Sequence, residues 1–576
     1  MKADPIVTEI IANRLLQIGH EGGLVLQRCA VSPGVVEGRD LGFNVSDATG
    51  QTVVYSTWMP RHGTTLSYML KSCMEKFKND IKPGDMYLVN DPHSGALHIL
   101  DLAVMMPIHY NNELIAWVGN ATHHVDVGAM TPGRAPLATD WHQEGIIFKP
   151  TRIVEDGKIR DDIFNLFLDN VRMPRYQSLD LKAQISANFA AASKISELIE
   201  RYGPDAVTDT FQNSIELARA QADQRISHLP KGRYQATELL DYDRIYTIKA
   251  TLEIDEDGLH FDFTGTDPQA KTFINCALPC AVANLHNILA CQLFPDLTVN
   301  AGTFELVDVT IPSGTIINCD PPAPCSGAST ITGWRVQSIT MALLSQALEN
   351  SDRSSYAMAE WGWGFTDVQW SGVDQVGRWY TVRGDASLHG GGARAYSDGI
   401  DVSNIAGSTN TALPSVESYE SRYPILYLSR GLVPDSEGAG KFRGGRAGYW
   451  SRCLYGVDEA SDLSFYIGKE VPALGFSGGE NGTPSIIYIK RDTNVLSKIG
   501  VEIPLYEELD GTVEVLPQQP SALGLQIQKG DVVFVRGMGG GGYGCATERA
   551  KSAIEIDLEE GLLSPGRAKS VYGYNG

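Results

Sequence analysis

The chain has 576 residues, a formal net charge of −22, 43% hydrophobic and 20% charged residues. This is ordinary globular material, long enough for three or four domains at about 150 residues each. The acidic balance excludes nucleic acid as a partner, because phosphate binding needs an excess of Lys and Arg. No apolar run reaches the roughly eighteen residues of a membrane span. The N-terminus carries Asp4 and Glu9 where a secretory leader would be apolar, so no membrane partner and a cytoplasmic location are expected.

Residues 1–30 place Ile6, Ile10, Ile11, Leu15 and Leu16 at helical spacing and predict an amphipathic helix. Gly42–Val54 reads as two strands around the Ser46–Gly50 turn, with Asp40 at their entry. A helix is predicted over 65–79, which leaves His62 near a turn, and the Lys82–Asp85 turn leads into a strand. Residues 102–110 and 113–121 are apolar, β-leaning runs, and the Asn111-Asn112 pair between them suits a two-residue hairpin. Leu181–Tyr202 and Asp205–Leu229 read as helices, with Gly203-Pro204 as stop and restart.

After residue 230 the texture becomes alternating over 233–265, with Asp255–Gly258 as a hairpin turn. Helices are expected near 280–293 and 333–349, and beyond about 385 the chain is rich in Gly, Pro and short strands. The expected class is α+β and multi-domain, with a mixed N-terminal metal-binding half and a β-rich C-terminal half. Boundaries are placed at 1–230, 231–384 and 385–576.

Asn90–Gly128 holds five of the twelve histidines and four carboxylates, the residue types that bind divalent metals. Pairing Tyr110 with Glu113 sets Asp101 opposite Thr122, within a residue or so. His98 and Asp101 at one strand's entrance then share a sheet end with His123, His124 and Asp126 at the other's exit. Neighbouring strand residues face opposite sides, so His123 and His124 do not easily ligate one ion together.

The nine cysteines show no paired CxxC spacing and read as buried thiols. Gly438–Gly445 and Gly537–Gly544 lack both P-loop and dinucleotide-fold spacing, so the chain is not expected to bind ATP. A tight backbone corner is preferred at Gly539–Gly542 over an anion-binding nest. Ser436, Lys441 and Arg443 are either a phosphate or carboxylate contact or a solvated loop. Trp361, Trp363, Phe365 and Trp370 suit either a ring-binding pocket or core.

NDPHSGALHILD from Asn90 and HHVDVG from His123 resemble the signature of the hydantoinase B/oxoprolinase family. Asn300–Gly314, Pro434–Gly448 and Gly537–Gly544 resemble further blocks of it, so the likeness runs nearly end to end. The family's members are B-type subunits of ATP-dependent cyclic-amide hydrolases, similar also to acetone and acetophenone carboxylase subunits. The resemblance implies a hetero-oligomer in which an A-type subunit binds ATP and phosphorylates the carbonyl oxygen of a small cyclic amide. This chain would finish the reaction at a divalent metal held by Asp40, His98, Asp101 and His123, with His124 the substitute for His123.

Zinc is favoured over manganese or iron for its affinity and redox inertness. Hydroxide on the metal would be the nucleophile, with His124, Asp126 and His62 in catalytic roles. A ketone carboxylase subunit and a non-catalytic scaffold are the alternatives.

Overall fold

A computed structural model of the chain describes residues 4–55, 58–383, 388–403, 413–519 and 525–576. It is an α+β protein of two compact units. Unit 1 comprises 1–233 and 250–337, and unit 2 comprises 234–249, 338–406 and 413–576.

Unit 1 opens with α1 (Pro5–Cys29), capped by Asp4, whose side chain accepts the Ile6 N–H. After a short turn α2 (Pro33–Val36), the chain forms β1 (Leu41–Asp47), β2 (Thr52–Val54) and α3 (Pro60–Phe77). Then come β3 (Met86–Val89), β4 (Asp101–Tyr110), β5 (Glu113–His123), β6 (Thr151–Glu155) and β7 (Lys158–Ile159). Helices α4 (Asp161–Asp169), α5 (Pro174–Tyr202) and α6 (Pro204–Ser227) follow. The seven strands form one antiparallel sheet in the order β2-β1-β5-β4-β3-β6-β7.

Helix α1 lies close on this sheet because its buried face is partly glycine: a Cβ on Gly22 would stand 2.6 Å from the Phe43 ring. α5 and α6 meet at Gly203, whose φ of +86° is a turn that glycine adopts without strain. α3 starts five residues earlier than the apolar spacing predicts, because Pro60 occupies its first turn. Arg61 and His62 therefore sit inside a buried helix end and not near a turn.

The chain leaves unit 1 in β8 (Gly232–Asp241) and returns through β9 (Ile245–Ile254). The second half of β9 pairs with β10 (Leu259–Asp262), which runs parallel to β11 (Val307–Thr310). Helix α7 (Leu278–Ile288) lies in unit 1, and α8 (Thr332–Glu349) carries the chain on into unit 2.

Unit 2 continues through β12 (Thr366–Asp367), β13 (Gln369–Val373), β14 (Trp379–Arg383), β15 (Ile425–Leu432) and β16 (Gly448–Leu454). It ends with β17 (Glu459–Asp462), β18 (Phe465–Tyr466), β19 (Ile486–Arg491), β20 (Thr512–Val515), β21 (Leu525–Gln528) and β22 (Val532–Arg536). Two sheets dominate, in the orders β15-β16-β22-β19-β20 and β14-β13-β17-β21. Trp361, Trp363, Phe365 and Trp370 are buried side chains of this unit.

The glycine-rich stretches form neither a corner nor a nest. Gly539–Gly542 has no positive φ, and its N–H groups go to the carbonyls of Thr483, Gly445, Glu360 and Glu480. Gly390 donates to Met538, Gly445 to Gly391 and Gly438 to Gly540, all at 2.7–2.9 Å. These segments pack backbone against backbone. A Cβ on Gly390 would lie 1.9 Å from the Gly445 carbonyl oxygen, and one on Gly540 would lie 2.0 Å from that of Gly391.

Beside them, Arg443 and fully buried Arg446 share Asp401 and Asp557, and Ser436 Oγ donates to the Val433 carbonyl. Arg443 and Ser436 are thus tied into the fold. Six cysteines are buried, while Cys291 is intermediate and Cys29 and Cys545 are exposed.

Candidate metal centre

The site is built by three neighbouring strand ends of unit 1. Asn111 and Asn112 both take left-handed backbone, at φ +49° and +66°, and close the β4–β5 hairpin in the turn its twist prefers. Tyr110 pairs with Glu113, but a bulge skips Ile115 and shifts the remaining register by one residue. Asp101 consequently faces His123 instead of Thr122. On the other side of β5, Leu41 pairs with Thr122, and the His123 N–H donates to the Asp40 carbonyl at 3.3 Å. Asp101, His123 and Asp40 thus stand side by side across β4, β5 and β1. His98 joins them from the loop before β4, where its Nδ1 accepts the Leu100 N–H and its carbonyl accepts the Asp101 N–H.

One donor atom from each of His98, Asp101 and His123 lies within 4.8 Å of the others. His123 Nδ1 is 3.4 Å from Asp101 Oδ1 and 3.9 Å from Asp40 Oδ2. Two ligands each about 2.1 Å from one tetrahedral ion stand about 3.4 Å apart, so this spacing suits a shared cation. Asp101 Oδ2 has no hydrogen-bond partner although it is buried, as expected of an atom reserved for an ion.

The charge state agrees. Burial drives His98 well below the usual histidine range, leaving the neutral imidazole that ligates metal. Burial opposes ionisation of Asp101 and Asp40 as well. The His123 ring, hydrogen-bonded to Asp101, nevertheless holds it below the usual carboxylate range, and His62 and His123 do so for Asp40. Two carboxylates among imidazoles match a divalent ion in charge. His98, Asp101 and His123 are buried, whereas the Asp40 side chain is 33% exposed, so the cluster opens on the Asp40 side.

The other predicted site residues divide. His62 belongs to the cluster: its Nε2 faces Asp40 Oδ1 at 3.7 Å, and its buried Nδ1 has no hydrogen-bond partner. His124 turns to the opposite face, where Nε2 meets Gln184 Oε1 at 3.0 Å and Nδ1 meets Gln177 Oε1, both on α5. Asp126 accepts from the Arg172 N–H at 2.6 Å and from its Nη1 at 3.0 Å. Strand alternation removes His124 from the cluster, and the Arg172 ion pair removes Asp126.

Two buried groups escape a reading of the sequence. Arg61 lies one residue from His62, near enough that Asp40 and Asp101 support its charge against burial, and it donates to the Ser329 carbonyl. Glu144 accepts the backbone N–H groups of Cys325 at 2.8 Å and Ser326 at 2.6 Å, and burial pushes its carboxyl up to about 7.

The sequence profile described as Hydantoinase B/oxoprolinase matches residues 4–546. The chain belongs to that family. Among its relatives, the acetophenone carboxylase delta subunit of Aromatoleum aromaticum is 28% identical, covering 99% of this chain and 86% of its own length. The crystal structure of the ATP-dependent caprolactamase from Pseudomonas jessenii superposes with a TM-score of 0.90 at 26% identity, covering 100% of this chain and 97% of that one. A nucleotide-free acetone carboxylase structure gives the same TM-score at 21% identity, covering 99% of this chain and 79% of that one, a likeness of fold. Among the described residues, no helix is long and apolar enough to cross a membrane.

Proposed function

We propose that this chain is the metal-dependent subunit of an ATP-dependent amidohydrolase that opens a small cyclic amide after a partner subunit has phosphorylated its carbonyl oxygen. The observation that carries this reading is the buried donor cluster of His98, Asp101 and His123 with Asp40 at its open side. Those four residues hold the ion, with zinc favoured over manganese and iron. When bound, a divalent ion polarises an oxygen ligand and lowers the pKa of water to about 7.

The chain's own residues supply the rest. His62, oriented by Asp40, accepts the proton of the attacking water. Arg61, buried near Asp40 and Asp101, adds positive charge near an anionic intermediate. His124 and Asp126, engaged with α5 and Arg172, serve to fix the backbone after β5. The two waters consumed provide both oxygens of the new carboxylate, the ring nitrogen leaves protonated, and phosphate departs with the original amide oxygen.

ATP is assigned to an A-type partner, because the glycine-rich segments of this chain spend their N–H groups on one another. The competing reading is ketone carboxylation, favoured by the acetophenone carboxylase relative. The chain purified with its ATP-binding partner should consume a lactam or hydantoin with ATP and without bicarbonate. Bicarbonate-dependent consumption of a ketone would replace the hydrolase reading. Retained metal with no turnover on either class would favour a scaffold.

A further inference from the structure

The segment 499–516 of unit 2 is an ordered lobe that presents apolar side chains outward. Val501 is 89% exposed, Ile503 59% and Val513 53%, and Leu505 and Val515 are exposed with them. The lobe is firmly held. Lys490 Nζ donates to the carbonyls of Tyr506 and Leu509 at 2.8 and 3.0 Å, Lys498 Nζ to that of Glu508 at 2.9 Å, and Asn494 to Asp510 at 2.7 Å. It ends in β20, the last strand of its sheet, which pairs with β19 and, among the described residues, with no strand on its outer side. All four residues of β20 are exposed.

Natural edge strands are blunted by short length, charged side chains, Pro or bulges. Thr512–Val515 is short and its Glu514 is paired with Arg491 of β19, but it carries no Lys or Pro, and its pairing with β19 has no bulge. A fixed apolar ridge alongside an open strand edge is a surface shaped for another polypeptide.

Charge decides which polypeptide. Residues 499–516 contain Glu502, Glu507, Glu508, Asp510 and Glu514 and no Lys, Arg or His. Glu514 is paired with Arg491, but pairing with a second copy would still set the other four acids against four more, on chains that each carry −22. Resting on the proposed function, we propose that the lobe and β20 dock the ATP-binding partner subunit, which adds an extended apolar strand flanked by Lys or Arg to the edge of β20.

The full chain co-expressed with that partner provides the test. The wild-type complex should weaken as salt rises, and the amides of Thr512–Val515 should gain protection from hydrogen exchange on assembly. Val513→Lys with Val515→Lys should raise the dissociation constant at least tenfold, and Glu507→Lys with Glu508→Lys should also weaken assembly. Both variants should keep wild-type metal content, which shows that they are folded. A wild-type complex that both variants form within twofold of normal overturns the docking site and leaves the proposed function standing. A chain that self-associates through the lobe also overturns it. Failure of the wild-type chain to bind the ATP-binding subunit at all overturns the partnership on which both proposals rest.

Discussion

Replacing Glu144 by Gln should abolish one pH-dependent loss of stability, whose size follows from the environment of the carboxyl. Its ordinary value is 4.5 and burial pushes it to about 7 in the fold. Between those values the folded chain holds a proton that the unfolded chain has released. Stability conferred by Glu144 is therefore complete below pH 4.5 and is lost as pH rises through 7. At 1.36 kcal/mol per pKa unit, the loss is about 3 kcal/mol by pH 7 and slightly more by pH 8. Glu144 is only 1% exposed, so solvent screening does not diminish it.

The amide cannot ionise, but it points a donor at one of the two N–H groups that Glu144 now satisfies. That penalty of about 1–3 kcal/mol shifts the variant's stability at every pH without changing its slope. Denaturant titrations of both proteins from pH 4.5 to 8 should show the difference moving by about 3 kcal/mol in favour of the variant as pH rises. A pH-independent difference would refute the assignment of a raised carboxyl to this position.

His98→Ala and Asp101→Ala should each lose most bound metal while folding normally, because both residues lie at a sheet end; elemental analysis showing full occupancy in both would sink the ligand assignment. A metal-depleted His123→Ala chain assembled with its partner should still cleave ATP when substrate is added, yet form little ring-opened product. In the active enzyme, isotope tracing should find solvent oxygen in the new carboxylate and the amide oxygen in phosphate, and phosphate without that oxygen would exclude carbonyl phosphorylation. Gly540→Ala should destabilise unit 2 by more than an ordinary cavity mutation, since the new methyl meets the Gly391 carbonyl oxygen at 2.0 Å and no side chain can move aside; calorimetry showing a wild-type transition would contradict the backbone packing.

The β4–β5 hairpin is legible in sequence because a strand announces itself through its apolar residues and a hairpin through its turn. The skip at Ile115, which brings Asp101 opposite His123, has no such local mark. The strand periodicity that separates His123 from His124 correctly sends them to opposite faces, but it says nothing of Gln177 and Gln184 waiting on α5. His62 looks like a turn residue because the apolar spacing of α3 starts only after it. Glu144 is invisible for a different reason: its partners lie 181 and 182 residues away in the chain. The glycine segments defeat pattern reading altogether, since such reading follows side chains and these segments pack without any.

That side-chain-free packing also fixes when unit 2 can be completed as the chain is made. Gly390, Gly438 and Gly445 find their partners in residues 538–540 or in segments aligned by them. Until the ribosome has released that late stretch, the earlier glycines lack the neighbours that would order them, and glycine loses more conformational freedom on ordering than any other residue. Such distant pairings form slowly, after loop closure has been overcome. A nascent chain therefore carries these glycine segments without their partners until Met538–Gly542 arrives.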